Sequence, residues 1–99
     1  MRSREISSIL DSERAVRGRR IVVFLAPGSG QVAAIASKRI GGAVQRNRAR
    51  RILRAAWAEV GPLAGEHDAV LVARAAIDGA SSRELVDEMT ALLTRTVDA

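Results

Sequence analysis

The sequence predicts an α+β fold, with helices packed on one small sheet. Three observations predict it. Two β-branched apolar runs of strand length stand at Ile21–Ala26 and Ala69–Ala73. Apolar residues recur at helical spacing within Ala43–Val60 and Ser81–Val97. Glycine and proline punctuate the chain between these segments.

Each element follows in order. Ile6, Ile9 and Leu10 share one face of a short helix over Ser3–Leu10. Arg14–Arg20 is basic and irregular, with Gly18 as a turn signal. The run Ile21–Ala26 is a strand, Pro27-Gly28-Ser29-Gly30 a turn, and Gln31–Ser37 the returning strand of a hairpin. Gly41-Gly42 breaks the chain before a helix over Ala43–Val60, and Gly61-Pro62 ends that helix. Gly65–Asp68 forms a loop before the strand at Ala69–Ala73. The last helix begins with Ser81 and Glu84 spaced as a capping box, and its apolar stripe is Leu85, Met89, Leu92, Leu93 and Val97. Trp57 reads as core or core edge.

Ninety-nine residues, 47% of them hydrophobic, make a single domain spanning 1–99 with enough apolar surface for one core. The absence of cysteine excludes a disulfide scaffold, thiolate metal ligands and a cysteine nucleophile. No apolar run reaches the roughly 20 residues of a membrane span, and the first residues lack a signal-peptide core. A cytoplasmic protein without membrane association is the expectation.

The charge is distributed unevenly. Residues 14–58 carry eleven Lys and Arg and no Asp or Glu, whereas residues 59–99 carry three arginines against eight acids. Ordinary surfaces mix the two signs, because like charges repel. A 45-residue stretch without an acid therefore points to a polyanionic partner.

The centre of that stretch is the helix Ala43–Val60. Ala49, Ile52, Leu53, Ala56 and Val60 fall on one arc that can bury against a sheet. Arg46, Arg50 and Arg54 form one row on the remaining surface, Asn47 and Arg51 the row beside it, and Arg48 lies further round. Like charges at i, i+4 destabilise a helix by a few tenths of a kcal/mol per pair. Cations in the first turn oppose the helix dipole. A row of guanidiniums beside free N–H groups fits a repeating phosphate backbone. A membrane-surface or calmodulin-type helix fits less well, because the apolar side is small and needed for the core. A DNA-reading helix lacks its helix-turn-helix partner.

Ser37-Lys38-Arg39-Ile40-Gly41, Ala43-Val44, Arg46-Asn47-Arg48, Arg50-Arg51 and Arg54 together resemble the signature of the bacterial ribonuclease P protein component family. The resemblance extends in register over nearly the whole chain. It implies a two-layer α/β sandwich in the order α-β-β-β-α-β-α, as in the second domain of a small-subunit ribosomal protein, with a left-handed β-α-β crossover around the arginine helix. General handedness rules favour the opposite sense. The order requires a further short strand within Arg14–Arg19.

The resemblance also implies a function. The protein would bind the catalytic RNA of ribonuclease P and the 5′ leader of precursor tRNA. The RNA would cut the phosphodiester bond with Mg²⁺ and release the mature 5′ end. Lys38, Arg39, Arg46, Asn47, Arg48, Arg50, Arg51 and Arg54 would contact the catalytic RNA. Ile6, Leu10 and Phe24 would wall a cleft for the single-stranded leader. The family commonly carries aromatics at the first two of these positions, so Phe24 is the main stacking candidate left, and Ile6 and Leu10 equally fit plain core packing.

Nothing assigns chemistry to the protein itself. His67 reads as a loop residue between Glu66 and Asp68, and no acid–base or metal cluster surrounds it. Asp78, Glu84, Asp87 and Glu88 read as a solvated face with dipole compensation. Gly28-Ser29-Gly30 is not a phosphate loop, since no Gly-Lys-Ser/Thr follows. The expectation is no catalytic residue, no metal ligand and no obligate protein partner, with Mg²⁺ used through the RNA alone. The alternative is a ribosomal-type structural RNA-binding protein, which accounts for the charge and the fold but not for the full helix signature.

Overall fold

Alternation of side chains along two central strands decides the architecture. The computed structural model describes residues 2–11 and 15–97. Arg14, where the acid-free stretch begins, and the side chain of Val97 lie outside the described residues. The elements are α1 (Ser3–Leu10), β1 (Ala15–Arg17), β2 (Ile21–Pro27), β3 (Val32–Ile35), α2 (Ala43–Val60), β4 (His67–Ala73) and α3 (Ser82–Val97). Short 3-10 turns occupy Lys38–Ile40, Gly61–Ala64 and Ala75–Ile77. The order α-β-β-β-α-β-α is the one the resemblance implies, and β1 falls within the segment that had to supply the extra strand.

The sheet runs β1-β2-β4-β3. β1 and β4 both pair antiparallel to β2, and β3 pairs parallel to β4. A parallel neighbour needs a crossover, which α2 provides. This β-α-β unit is consistent with the left-handed crossover of the family fold.

Register puts Ile21 opposite Ala73, Val23 opposite Leu71 and Leu25 opposite Ala69. All six are buried in the main core with Ala34 and Ala36. From the other layer come Ala49, Ile52, Leu53, Ala56, Trp57 and Val60 of α2, and Leu85, Met89, Leu92 and Leu93 of α3. Each large aliphatic group buried this way contributes roughly 1.5–3 kcal/mol. Trp57 is buried, and the stripe read from the sequence is the one that packs.

The opposite face of the sheet carries Val22, Phe24 and Ala26 of β2, Asp68, Val70 and Val72 of β4, and Ala33 and Ile35 of β3. α1 lies against β2 and β4 on this side and buries Ile9. Val22 and Val70 are buried outside the main core, whereas Phe24 and Val72 remain half-exposed. The sheet is therefore covered by α2 and α3 on one face, where Val16 and Val32 of the edge strands stay partly exposed, and less fully by α1 on the other.

Side chains fasten two of the connections. Asp68 Oδ1 accepts the backbone N–H groups of Ser29, Gly30 and Gln31 at 3.1, 3.2 and 2.9 Å, which pins the β2–β3 turn. A Cβ on Gly28 would meet that carboxylate at 2.2 Å, so the turn closes only around glycine there. Ser81 and Glu84 form the expected box at the start of α3: Ser81 Oγ accepts the Glu84 N–H at 3.2 Å, and Glu84 Oε1 accepts the Ser81 N–H at 3.3 Å.

Three readings of the sequence need correction. The run Gln31–Ser37 does not return as a hairpin on Ile21–Ala26: β3 pairs parallel with β4, because β4, whose Ala69, Val70 and Leu71 are fully buried, takes the central place beside β2. Glu84 and Glu88 are more than a solvated face. Arg20 donates from Nη2 to Glu84 Oε2 at 2.8 Å and from Nη1 to Glu88 Oε1 at 3.1 Å. Glu88 Oε2 also accepts the backbone N–H groups of Arg20 and Ile21 at 2.9 and 3.2 Å. The half-buried Glu88 thus ties the start of β2 to α3. His67 is the first residue of β4 rather than a loop residue, because it pairs with Pro27. Its Nδ1 meets the carbonyl of Ala64.

Candidate nucleic-acid interface

The approach to α2 exposes cations before the helix begins. Ser37 Oγ accepts the Arg39 N–H at 3.3 Å and caps the turn Lys38–Ile40. Ile40 is buried beneath it, so Lys38 and Arg39 face outward. Gly41 then takes φ 135°, a conformation that L side chains rarely adopt, and redirects the chain into α2. Gly42 occupies the N-cap position without a side-chain cap, leaving first-turn N–H groups without a local side-chain acceptor.

Burying one arc of α2 fixes where its arginines point. With Ala49, Leu53 and Ala56 sealed in the core, Asn47, Arg51 and Arg54 are exposed, and Arg46, Arg48 and Arg50 are half-exposed. Arg50 Nη2 donates to Asn47 Oδ1, which joins the two rows across one turn. Arg46 Nε is enclosed and has no hydrogen-bond partner. Arg48 reaches away from the rows and donates from Nη2 to the carbonyl of Ala80 at 2.7 Å, steadying the start of α3. Val44 is 78% exposed on the first turn, an apolar group standing among the cations.

Among the described residues, none of Lys38, Arg39, Arg46, Arg48, Arg50, Arg51 and Arg54 forms a salt bridge; the ion pairs belong to Arg20 and Arg83. The α2 part of the acid-free run and its lead-in thus become a surface of cations with no carboxylate partner among the described residues. A helix that gives up i, i+4 charge balance and dipole compensation on one side, while keeping good packing on the other, is built for an external anion.

The other predicted residues divide. Ile6 and Leu10 flank the buried Ile9 on the inner side of α1 and are half-buried, as is Phe24 on the sheet face that α1 covers in part. A cavity of about 380 Å³ beside α1 is lined by Arg4, Glu5, Ser8, Ile9, Ala26, Pro27 and Asp68, not by Ile6, Leu10 or Phe24. A second crevice of about 360 Å³ is lined by Ser37, Arg39, Ile40, Val72, Ala73, Arg74 and Ala75. Because Val72 lies on the partly open sheet face, this crevice connects that face to the cations leading into α2. Arg74, which the sequence reading passed over, belongs to this connection and donates from Nη1 to the carbonyl of Gly18 at 2.9 Å.

No group of three or more His, Asp and Glu side chains among the described residues could hold a metal ion. No helix among them is long and apolar enough to cross a membrane.

A family model described as ribonuclease P matches residues 1–97. The chain belongs to that family. A ribonuclease P protein component from Halalkalibacterium halodurans is 37% identical over 78 residues, a match covering 74% of this chain and 66% of the relative. One from Shouchella clausii is 36% identical, with 64% of the relative covered. A third, from Syntrophomonas wolfei, is 33% identical over 97 residues, covering 94% of this chain and 82% of the relative. The chain thus spans just under two thirds of the first two relatives and more of the third.

Among solved structures, the RNase P protein from Thermotoga maritima superposes with a TM-score of 0.82 at 16% identity, covering 96% of this chain and 94% of that one. The Staphylococcus aureus RNase P protein gives 0.80 at 18% identity, covering 95% and 90%. At such identities the likeness speaks to the fold alone, which is that of the ribonuclease P proteins. The ribosomal-type alternative is not favoured, because the matching family model and the relatives are those of ribonuclease P.

Proposed function

We propose that the chain acts as the protein subunit of ribonuclease P, removing the 5′ leader of precursor tRNA as part of a ribonucleoprotein. The observation that carries this reading is the outward face of α2 and its lead-in, where seven cations lack a carboxylate partner among the described residues. Lys38, Arg39, Arg46, Asn47, Arg48, Arg50, Arg51 and Arg54 contact the catalytic RNA. Arginine suits this task, because its planar fork meets phosphate oxygens two at a time. The single-stranded leader lies against the partly open sheet face beside α1, with Ile6, Leu10 and Phe24 as its apolar wall.

Catalysis resides in the RNA, and the Mg²⁺ that the reaction needs is bound there. The protein's contribution is electrostatic and positional. It screens repulsion between two polyanions and holds the leader in line with the RNA active site. This work belongs to the cytoplasm, and no further protein partner is required.

Reconstitution tests the reading. The protein alone leaves precursor tRNA intact. The protein with the catalytic RNA cleaves at low Mg²⁺, where RNA alone barely does. Cleavage by the purified protein unaided, or an Mg²⁺ requirement unchanged by adding it, would overturn the assignment.

A further inference from the structure

The sheet face that α1 leaves partly open carries one cation that the helix signature does not include. β1 is one of the two edge strands of the sheet, and its register sets Ala15 opposite Phe24, Val16 opposite Val23 and Arg17 opposite Val22. Val23 points into the main core and Val16 packs against that core, so Ala15 and Arg17 stand on the other face with Phe24 and Val22. Arg17 is exposed, and among the described residues it has no ion-pair or side-chain hydrogen-bond partner.

Its neighbours on that face are apolar or already engaged. Val22, Phe24, Val70, Val72, Ala33 and Ile35 present hydrocarbon. Asp68, the one acid the strands place there, spends its Oδ1 on three backbone N–H groups of the β2–β3 turn. Arg17 is therefore the only cation that the described strands put on this face. Val22, its cross-strand partner, and Phe24 are two residues apart, about 7 Å along β2. Arg17 thus stands two residues along the β1 edge from Ala15, the residue opposite Phe24, so that a cation and the face's aromatic ring share one side of the sheet.

We propose that Arg17 is a leader-phosphate contact, so that this chain grips the leader by charge where Ile6 and Leu10 offer no aromatic stacking. The proposal rests on the leader reading above and adds the residue and the kind of force. Aromatic stacking contributes about 1–3 kcal/mol per base and responds little to salt, whereas a phosphate contact is salt-dependent. A charged residue on an edge strand also blocks sheet-to-sheet aggregation, a role that requires no leader.

The test uses the reconstituted holoenzyme and two precursor tRNAs, one with a single-nucleotide leader and one with a leader of about ten nucleotides, within the reach of one single-strand-binding surface. R17Q weakens binding of the long-leader substrate by about three- to fivefold and lowers its log–log salt slope by about 0.7. R17K restores the slope. Adding Leu10→Phe to R17Q recovers affinity without recovering the slope, because stacking replaces charge. Arg83→Gln, on the far layer, removes the same charge without effect on the long-leader preference.

An R17Q protein with unchanged long-leader affinity and slope overturns the proposal, as does an equal loss in Arg83→Gln. If the unsubstituted holoenzyme does not distinguish long from short leaders, the leader reading itself fails and takes this proposal with it. If it does distinguish them and R17Q does so equally well, only the role of Arg17 falls.

Discussion

Two groups of arginines from the same acid-free stretch meet opposite fates. At the start of β2, Arg20 is 21% exposed and grips Glu84 and Glu88 of α3, whose carboxylates also hold backbone N–H groups. On α2, Arg46, Arg50, Arg51 and Arg54 meet no carboxylate among the described residues. Identical chemistry thus serves as an internal fastener in one place and as an open surface in the other. The fold makes this division by bringing acids from the far end of the chain to the first group and withholding them from the second. Local charge density marks where a polyanion can bind, but only tertiary contacts show which cations remain available for it.

Substitutions on the fastener should move stability and leave RNA binding alone. Glu88→Gln has the larger effect. It removes the charge opposite Arg20 and disrupts carboxylate acceptors for two backbone N–H groups in a half-buried site. A loss of about 2–3 kcal/mol in urea unfolding is expected, with the salt dependence of RNA binding unchanged once the protein is folded. A change in that salt dependence would mean that the fastener and the surface are not separate.

The smaller effect concerns pH. The Glu84 carboxyl is held below its ordinary value of 4.5, first by the Ser81 backbone N–H, then by the Ser81 hydroxyl, then by the Arg20 guanidinium. A depressed value in the folded state means that the folded protein prefers the ionised carboxylate. Glu84 therefore contributes stability that is fully present above the unfolded value and is lost as pH falls through the folded one. In thermal unfolding, the difference between the unsubstituted protein and Glu84→Gln should shrink as pH drops below 4.5. A gap that stays constant through this range would show that Glu84 acts through packing alone.

Much of this division was legible in the sequence, for physical reasons that vary by element. α2 was legible to its ends, because an apolar arc of core residues sits between glycines that stop a helix on both sides. The box of Ser81 and Glu84 was legible because its partners are three residues apart. β1 was not readable from its three residues alone and came only from the family pattern. β3 is shorter than the apolar run around it, since Ala36 is buried but Ser37 already leaves to cap the next turn. β4 begins at His67 because Pro27 and Ala26 are its partners, which a local reading does not see. The pairing of Arg20 with Glu84 and Glu88 was hidden for the same reason, the partners lying 64 and 68 residues away. The α2 face was read correctly in direction, but Arg48's bond to Ala80 became visible only once α3 was in place.

The outward face of α2 is tested most directly by titrating catalytic-RNA binding against salt for the unsubstituted protein and for Arg46, Arg50 and Arg54 replaced together by Gln. The account predicts a log–log slope shallower by about two to three units, with folding stability unchanged or raised by a few tenths of a kcal/mol as repulsion along the helix is relieved. An unaltered slope in a folded triple variant would contradict it, because the phosphates would then be neutralised somewhere else on the molecule.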